Sequence, residues 1–318
     1  MGFRRVNHST TTTSTTTTTD VRHLSGKELR KLVDRYRVTD GKGFKLKDFD
    51  PGDTAGHLIG KPEATALLNG GVVHLSELQE KLYAQDRWAV LCVFQAMDAA
   101  GKDGTIKHVM SGVNPQGVQV TTFKAPGAEE LKHDFLWRAA RNLPERGRIG
   151  IFNRSHYEET LVVRVHPELL DKQHLPRELM GKKIWDKRLG AIADFERFLA
   201  DQGTLILKFF LNVSKEEQKR RFMDRLNDKS KNWKFSTSDL TERAFWEDYQ
   251  RVYQQAIEAT AAPQAPWFVV PADNKWFTRL VVVAAIVEAL ERVDLTPPST
   301  TPAQLAALVA ARVELLGE

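Results

Sequence analysis

The chain has a single cysteine, Cys92, and it lies in an apolar run. One thiol excludes an intrachain disulfide and a cysteine-rich metal centre. Long hydrophobic runs are also scarce. The longest, LVVVAAIVEAL at 280–290, is too short to cross a bilayer, and the N-terminus lacks the apolar segment of a secretory signal. The expectation is a cytoplasmic protein with no membrane partner, so the Asn-x-Ser/Thr matches at Asn7, Asn153 and Asn212 carry no sugar. No RNA-reading aromatic pair is visible. A net charge of +5, from 46 basic and 41 acidic side chains, is too mild to indicate nucleic acid. It suits an anionic ligand where the basic residues cluster. At 318 residues, 42% hydrophobic and 27% charged, the chain allows one large α/β domain with extensions, or two small domains.

The segment STTTTSTTTTT at 9–19 cannot bury a core, and residues 1–22 read as a disordered Thr-rich tail. A helical N-terminal extension is expected over 23–87. It has a helix at 25–38 opening on Ser25 and Glu28 in capping-box spacing, an irregular Gly/Lys/Asp-rich stretch at 39–63, and a helix at 74–86. Five apolar runs then read as strands: 88–96, 119–124, 149–155, 204–213 and 266–272. Helices are expected between them, at 127–144, after His156, at 183–203, from Ser214 and Glu217 onward, and at 238–261. A closing helix follows at 276–293. This alternation predicts a parallel five-stranded sheet flanked by helices on both faces, over 88–295. A last helix is expected within 296–318.

The stretch AMDAAGKDG, from Ala96, nearly matches the phosphate-binding P-loop pattern G-x-x-x-x-G-K-[ST], with Ala96 for the first glycine and Asp103 for Ser or Thr. It lies between an expected buried strand and an expected helix, as a working loop must. The loop from Ala99, Ala100 and Gly101 through Lys102, Asp103, Gly104 and Thr105, with Lys107 on the helix, is the expected phosphate cradle, aided by the positive end of that helix. Lys102 would neutralise a transferring phosphoryl group. Asp98 suits a metal ligand or an acceptor-orienting group, and equally an Asx-turn. At the end of the third strand Asn153 can coordinate through its amide oxygen. Arg154 follows, as a phosphate clamp or as a surface partner of Glu158 or Glu159. The run 215–234 holds eight basic and four acidic residues. Gln218, Arg221 and Arg225 share one helical face in it, which reads as an Arg-bearing lid at about 214–240 or as a solvated face. Trp246, Tyr249 and Tyr253 read as core.

Five segments, AMDAAGKDGTIKHVMSGVNPQG, FNRSHYEETLVVRVHPELL, SKEEQKRRFMDRL, WKFSTSDLTERAFWEDY and PWFVVPADNKW, together resemble the polyphosphate kinase 2 family, from about residue 43 to 293. The form FNRSHYEE, with Asn153 in place of Asp, resembles its class III branch. The resemblance implies a thymidylate-kinase-like P-loop kinase fold with a helical lid, a homo-oligomer, and Mg²⁺ as cofactor with Mn²⁺ as a substitute. Inorganic polyphosphate would be the donor and AMP and ADP the acceptors, with direct in-line transfer. It assigns catalysis to Asp98, Lys102, Arg154, Arg221 and Arg225, metal binding to Asp98, and nucleotide contacts to Asp98, Arg138, Asn153 and Arg154. Polyphosphate contacts fall to Lys45, Lys47, Lys231 and Lys234. With no acid at 153, a second protein ligand to the metal stays open. The competing readings are an ATP-dependent nucleoside monophosphate kinase and a non-catalytic polyanion-binding protein.

Overall fold

The computed structural model describes residues 26–55 and 61–318; the threonine tract and Ser25 of the expected capping box lie outside them. In chain order the elements are α1 (Gly26–Asp34), β1 (Arg37–Val38), α2 (Lys61–Gln85), β2 (Ala89–Ala96), α3 (Lys102–Val109), β3 (Val118–Thr122), α4 (Trp137–Arg141), β4 (Ile149–Asn153), α5 (Val162–Val165), α6 (Ile184–Asp201), β5 (Thr204–Asn212), α7 (Lys215–Asn227), α8 (Thr237–Ala244), α9 (Trp246–Thr260), β6 (Trp267–Pro271), α10 (Lys275–Glu291) and α11 (Pro302–Gly317).

The strands form one sheet in the order β1-β6-β5-β2-β4-β3. The continuous apolar runs become its centre: every residue of β2 is buried, as is every residue of β6. The five expected strands are all present and mutually parallel. The expectation of a five-stranded parallel sheet is nevertheless corrected. A sixth strand, β1, adds antiparallel to β6, with Arg37 opposite Phe268. Two residues are too few to show a period, and β1 is held by side chains. Arg37 Nη2 donates to Glu288 Oε2 at 2.5 Å, and its guanidinium sits over the Phe268 ring.

Helices cover both faces. On one, α10 packs against α1, α2 and α3; on the other, α6 packs against α9 and β5. The helix α2 starts well before residue 74 and runs through Gly70 and Gly71. A Cβ at Gly71 would lie 3.0 Å from Val283 Cγ1 of α10, so the glycine admits a close helix crossing. The expected helix at 127–144 is instead a 3₁₀ turn at Glu130–Lys132 followed by the short α4. His133 is extended between them, and Asp134 Oδ1 accepts the Leu136 N–H. The expected helix at 238–261 breaks at Phe245 into α8 and α9. The terminal α11 has the expected helical form, and every residue of it is exposed.

Beneath the sheet's helix layer lies a buried polar knot. Lys208 of β5 donates to Glu196 of α6 at 2.5 Å and to the Thr260 carbonyl at 2.7 Å. The Tyr157 hydroxyl joins Glu196 and Thr260 at 2.8 and 2.9 Å. Every charge in the knot is paired, which is what lets it be buried. The knot ties the turn after β4 to α6 and β5.

Candidate active site

The parallel strands end together: Phe94 stands opposite Asn153, and Asn212 opposite Pro271. The chain leaves β2 toward β3 on one side, while β5 adds on the other. The glycine loop therefore sits where strand order reverses, the place at which open α/β sheets form a crevice. It is tightly wound, with Ala99 at φ 60° and Gly101 at φ 105°. Gly101 meets that conformation at no steric cost, while Ala99 carries strain that the surroundings must hold.

Those surroundings come largely from α7. Gln218 Nε2 donates to the Asp98 carbonyl at 2.9 Å. Arg221 Nη1 donates to the carbonyls of Ala99 and Ala100 at 2.9 and 2.7 Å, and Nη2 to those of Ala272 and Asp273 at 2.5 and 3.1 Å. Its Nε reaches Glu217 at 2.7 Å. The shared face of Gln218, Arg221 and Arg225 does turn toward the loop. Arg221, however, is only 4% exposed, which differs from the solvent-facing lid cation that its place in a charge run suggests. Its fork clamps the backbone of the loop to the end of β6. Arg225 is half-buried, with Nη1 at 3.4 Å from Asp239.

Lys102 begins α3 and folds back so that Nζ donates to the Ala96 carbonyl at 2.9 Å. Burial pushes its ammonium below the ordinary lysine range, Arg154 adds to that, and Asp98 opposes it. Asn153 Nδ2 donates to Asp103 Oδ1 at 2.7 Å, so Asp103 is turned onto β4. Arg154 has φ 62°, a left-handed conformation that is uncommon away from glycine. Its backbone N–H is held by the Phe94 carbonyl at 3.0 Å. Its guanidinium meets Asp98 at 3.3 Å and Glu158 at 3.2 Å. Glu158, then Asp98, raise its proton affinity against the effect of burial. Arg154 thus pairs with Glu158 and also faces the loop at Asp98.

These groups line a cavity of about 780 Å³, together with Thr122, Asp224, Lys231, Trp233, Asp239, Lys275 and Arg279. A second cavity of about 270 Å³ adjoins it and shares Met97, Asp98, Arg154 and Asp239. Its other walls include Val162, Gln218, Glu242, Arg243, Tyr249 and Tyr253. Tyr249 and Tyr253 are buried, as expected of core residues, and also face this space.

Other expected site residues lie apart. Arg138 is buried beside a separate small cavity, where it donates to the Lys124 carbonyl at 2.7 Å and to Glu159 at 3.0 Å. Lys45, Lys47 and Lys107 are exposed and line neither of the two adjoining cavities. Lys231 does line the larger one, paired with Asp228 at 2.5 Å. The side chain of Lys234 lies outside the described residues. Sequence reasoning missed Lys275, Arg279 and Arg243. The spacing of Lys275 and Arg279, one helical turn apart in NKWFTR, was the available signal.

The structure thus defines an α/β protein in which a glycine loop at the carboxyl edge of a mixed six-stranded sheet opens into a groove lined with cations. The chain belongs to the polyphosphate kinase 2 family, whose pattern residues 61–297 match. It is 53% identical over 283 residues to an ADP-polyphosphate phosphotransferase of Rhodopseudomonas palustris, covering 89% of this chain and 98% of the relative. It is 46% identical over 267 residues to an AMP/ADP-polyphosphate phosphotransferase of Meiothermus ruber, covering 83% and 95%. The crystal structure of polyphosphate kinase 2 from Arthrobacter aurescens TC1 superposes with a TM-score of 0.80 at 43% identity, over 88% of this chain and 96% of that one.

Proposed function

We propose that this protein transfers the terminal phosphoryl group of inorganic polyphosphate to AMP and to ADP. The observation that carries the reading is the pair of adjoining cavities meeting at Asp98 and Arg154, one lined by the glycine loop and by cations, the other by two tyrosines. The first suits a polyanionic donor. The second suits a nucleotide, whose base and sugar need an apolar wall and whose phosphate must reach the junction. The names of the Rhodopseudomonas and Meiothermus relatives support polyphosphate as donor. They differ on the acceptor, and the FNRSHYEE motif favours AMP as well as ADP.

Phosphoryl transfer asks a protein for positioning and charge neutralisation more than for covalent chemistry. The loop N–H groups and the start of α3 hold the transferring phosphate. Lys102, now bonded to the Ala96 carbonyl, swings to neutralise charge as it develops. Arg154 bridges donor and acceptor at the junction. Asp98 orients the acceptor phosphate, and Arg221 keeps the loop in shape. The segment around α7 and α8 acts as the lid, with Arg225 facing the groove.

Among the described residues no cluster of three metal-ligating side chains exists. Asp98 at the junction nevertheless fits Mg²⁺, which binds through one or two carboxylates and keeps waters and substrate phosphates as its other ligands. When bound, Mg²⁺ would supply positive charge to offset that of the donor and acceptor phosphates; Mn²⁺ would substitute for it. The protein would work as a homo-oligomer in the cytoplasm.

Incubation with AMP, Mg²⁺ and polyphosphate, without ATP, tests the reading. ADP should form first and ATP after it. Conversion of ADP but not AMP would overturn the acceptor assignment. Use of ATP and not polyphosphate as donor would overturn the reading as a whole.

A further inference from the structure

Helix α7 begins with only half a cap of its own. Ser214 is its N-cap, and the Ser214 Oγ accepts the Glu217 N–H at 3.1 Å. In a full capping box the third side chain along reaches back and accepts the N-cap N–H. The terminal α11 does this within itself: Gln304 Oε1 accepts the Thr301 N–H at 2.8 Å, and Thr301 Oγ1 accepts the Gln304 N–H. In α7 the Glu217 carboxylate is taken by Arg220 and Arg221. The Ser214 N–H donates instead to Asp273 Oδ1 at 2.8 Å. Asp273 belongs to the turn between β6 and α10, 59 residues along the chain.

Asp273 is itself held on two other sides. Its N–H donates to the Pro51 carbonyl at 3.1 Å, and its carbonyl accepts from Arg221 Nη2 at 3.1 Å. The chain around Pro51 is strapped across the same end of the sheet. The Phe49 carbonyl accepts from Asn212 Nδ2 at 2.8 Å, and the Gly52 carbonyl from Asn274 Nδ2 at 3.4 Å. Asp273 lines neither of the two adjoining cavities, so its effect on the reaction passes through α7. We propose that Asp273 is a positioning residue: its carboxylate fixes the root of α7, and so sets where Gln218 and Arg221 meet the glycine loop. Gln218 lies one turn in from Ser214 and holds the Asp98 carbonyl; Arg221, a turn further, holds those of Ala99 and Ala100. An N-cap N–H without a partner frays the first turn. The strained Ala99, at φ 60°, keeps its shape only while those carbonyls are held. The kinetic half of the proposal rests on the phosphoryl-transfer reading; the structural half does not.

Two measurements on the full chain test it. The first is hydrogen exchange by mass spectrometry, without substrate, on peptides covering 97–102 and 214–222. Asp273→Ala should speed exchange in both by about tenfold, as for loss of a charge-assisted hydrogen bond, and leave β2 unchanged. Asp273→Asn, whose amide oxygen still accepts the Ser214 N–H, should lie close to the unaltered chain. The second is steady-state kinetics with AMP, Mg²⁺ and polyphosphate, well below the melting temperature. The unaltered protein is assayed first; if it makes no ADP, the functional reading fails while the exchange result still decides the structural half. Asp273→Ala should lower kcat about tenfold, because a displaced loop misplaces the reacting phosphate. Both KM values should stay within about twofold, and Asp273→Asn should recover most of kcat. Asp248→Ala, which removes an exposed carboxylate from the first turn of α9, should change neither readout. The proposal is overturned by unchanged exchange or unchanged kcat in Asp273→Ala, even with a lowered melting temperature, or by an equal loss in Asp273→Asn. Should Asp273→Ala not fold, Ser214→Pro removes the same bond from the donor's side, at a φ of −73° that proline accepts. Ser214→Ala then controls for the lost hydroxyl, and equal effects of the two overturn the proposal.

Discussion

Lys102 and Arg221 show how two cations a few ångströms from one loop do different work. Lys102 touches the loop only through the Ala96 carbonyl, and burial depresses its proton affinity. Its ammonium therefore weakens the fold below its folded-state pKa, and that penalty fades as pH rises toward the unfolded value. Lys102→Ala should thus leave the melting temperature unchanged or slightly raised, while kcat falls roughly a hundred- to a thousandfold, as when one preorganised donor to a transition state is removed. Near-normal kcat would contradict the role given to Lys102. A bound polyanion should also restore the lysine's proton affinity. On the alkaline side kcat/KM, which reports the free enzyme, should then decline at lower pH than kcat, which reports the complex; coincident limbs would count against it. Arg221 is the reverse case. Of its five contacts to carbonyls and Glu217, the three to Ala99, Ala100 and Ala272 are buried. Arg221→Ala should cost about 2–4 kcal/mol of stability as well as activity, because carbonyls are left unpaired. Thermal melts of Arg221→Ala beside Arg220→Ala check this: a drop in the first alone is expected, and equal melting temperatures would reduce Arg221 to a surface charge. The helical wheel put Arg221 on one face with Gln218 and Arg225, and spacing could do that much. Whether a cation meets phosphate or backbone depends on the loop's open carbonyls, which no residue spacing reports.

At the scale of elements, what the sequence made legible was whatever depends on burial alone. The runs WAVLCVFQA and TLILKFFLNV became the central strands because both of their faces are covered, so a mainly apolar run, interrupted by Gln95 in the first and by Lys208 in the second, is their signature. The strand β1 was hidden, since two residues have no period and its place is fixed by Glu288, far along the chain. Helix α2, expected only over 74–86, starts at Lys61 and carries Gly70 and Gly71 inside it. The use of Gly71 lies in the contact with Val283 of α10, a tertiary fact. Gly71→Leu should accordingly destabilise the protein by about 1–3 kcal/mol through overpacking of that crossing. A denaturant titration measures it, and a midpoint equal to that of the unaltered chain would refute the close-approach account. The break at Phe245 was equally hidden: α8 carries Asp239 toward Arg225, while α9 buries Tyr249 and Tyr253. One amphipathic reading over 238–261 blended two helices with different partners.

For the molecule as a whole, the match to the family ends at residue 297, and α11 beyond it is exposed throughout, including Leu305, Leu308, Val309 and Leu316. The groove draws nothing from it. A chain ending at Pro297 should keep its melting temperature and its turnover, and a marked loss of either would give α11 a part in the fold or the site. The central claim concerns the two cavities meeting at Asp98 and Arg154, one for a polyphosphate and one for a nucleotide. The most direct measurement is a time course of nucleotides, resolved by chromatography, from AMP, Mg²⁺ and polyphosphate with no ATP present. Successive appearance of ADP and then ATP, abolished by Lys102→Ala, is the result expected. No ADP from AMP with polyphosphate, in a preparation that phosphorylates AMP from ATP, would contradict it.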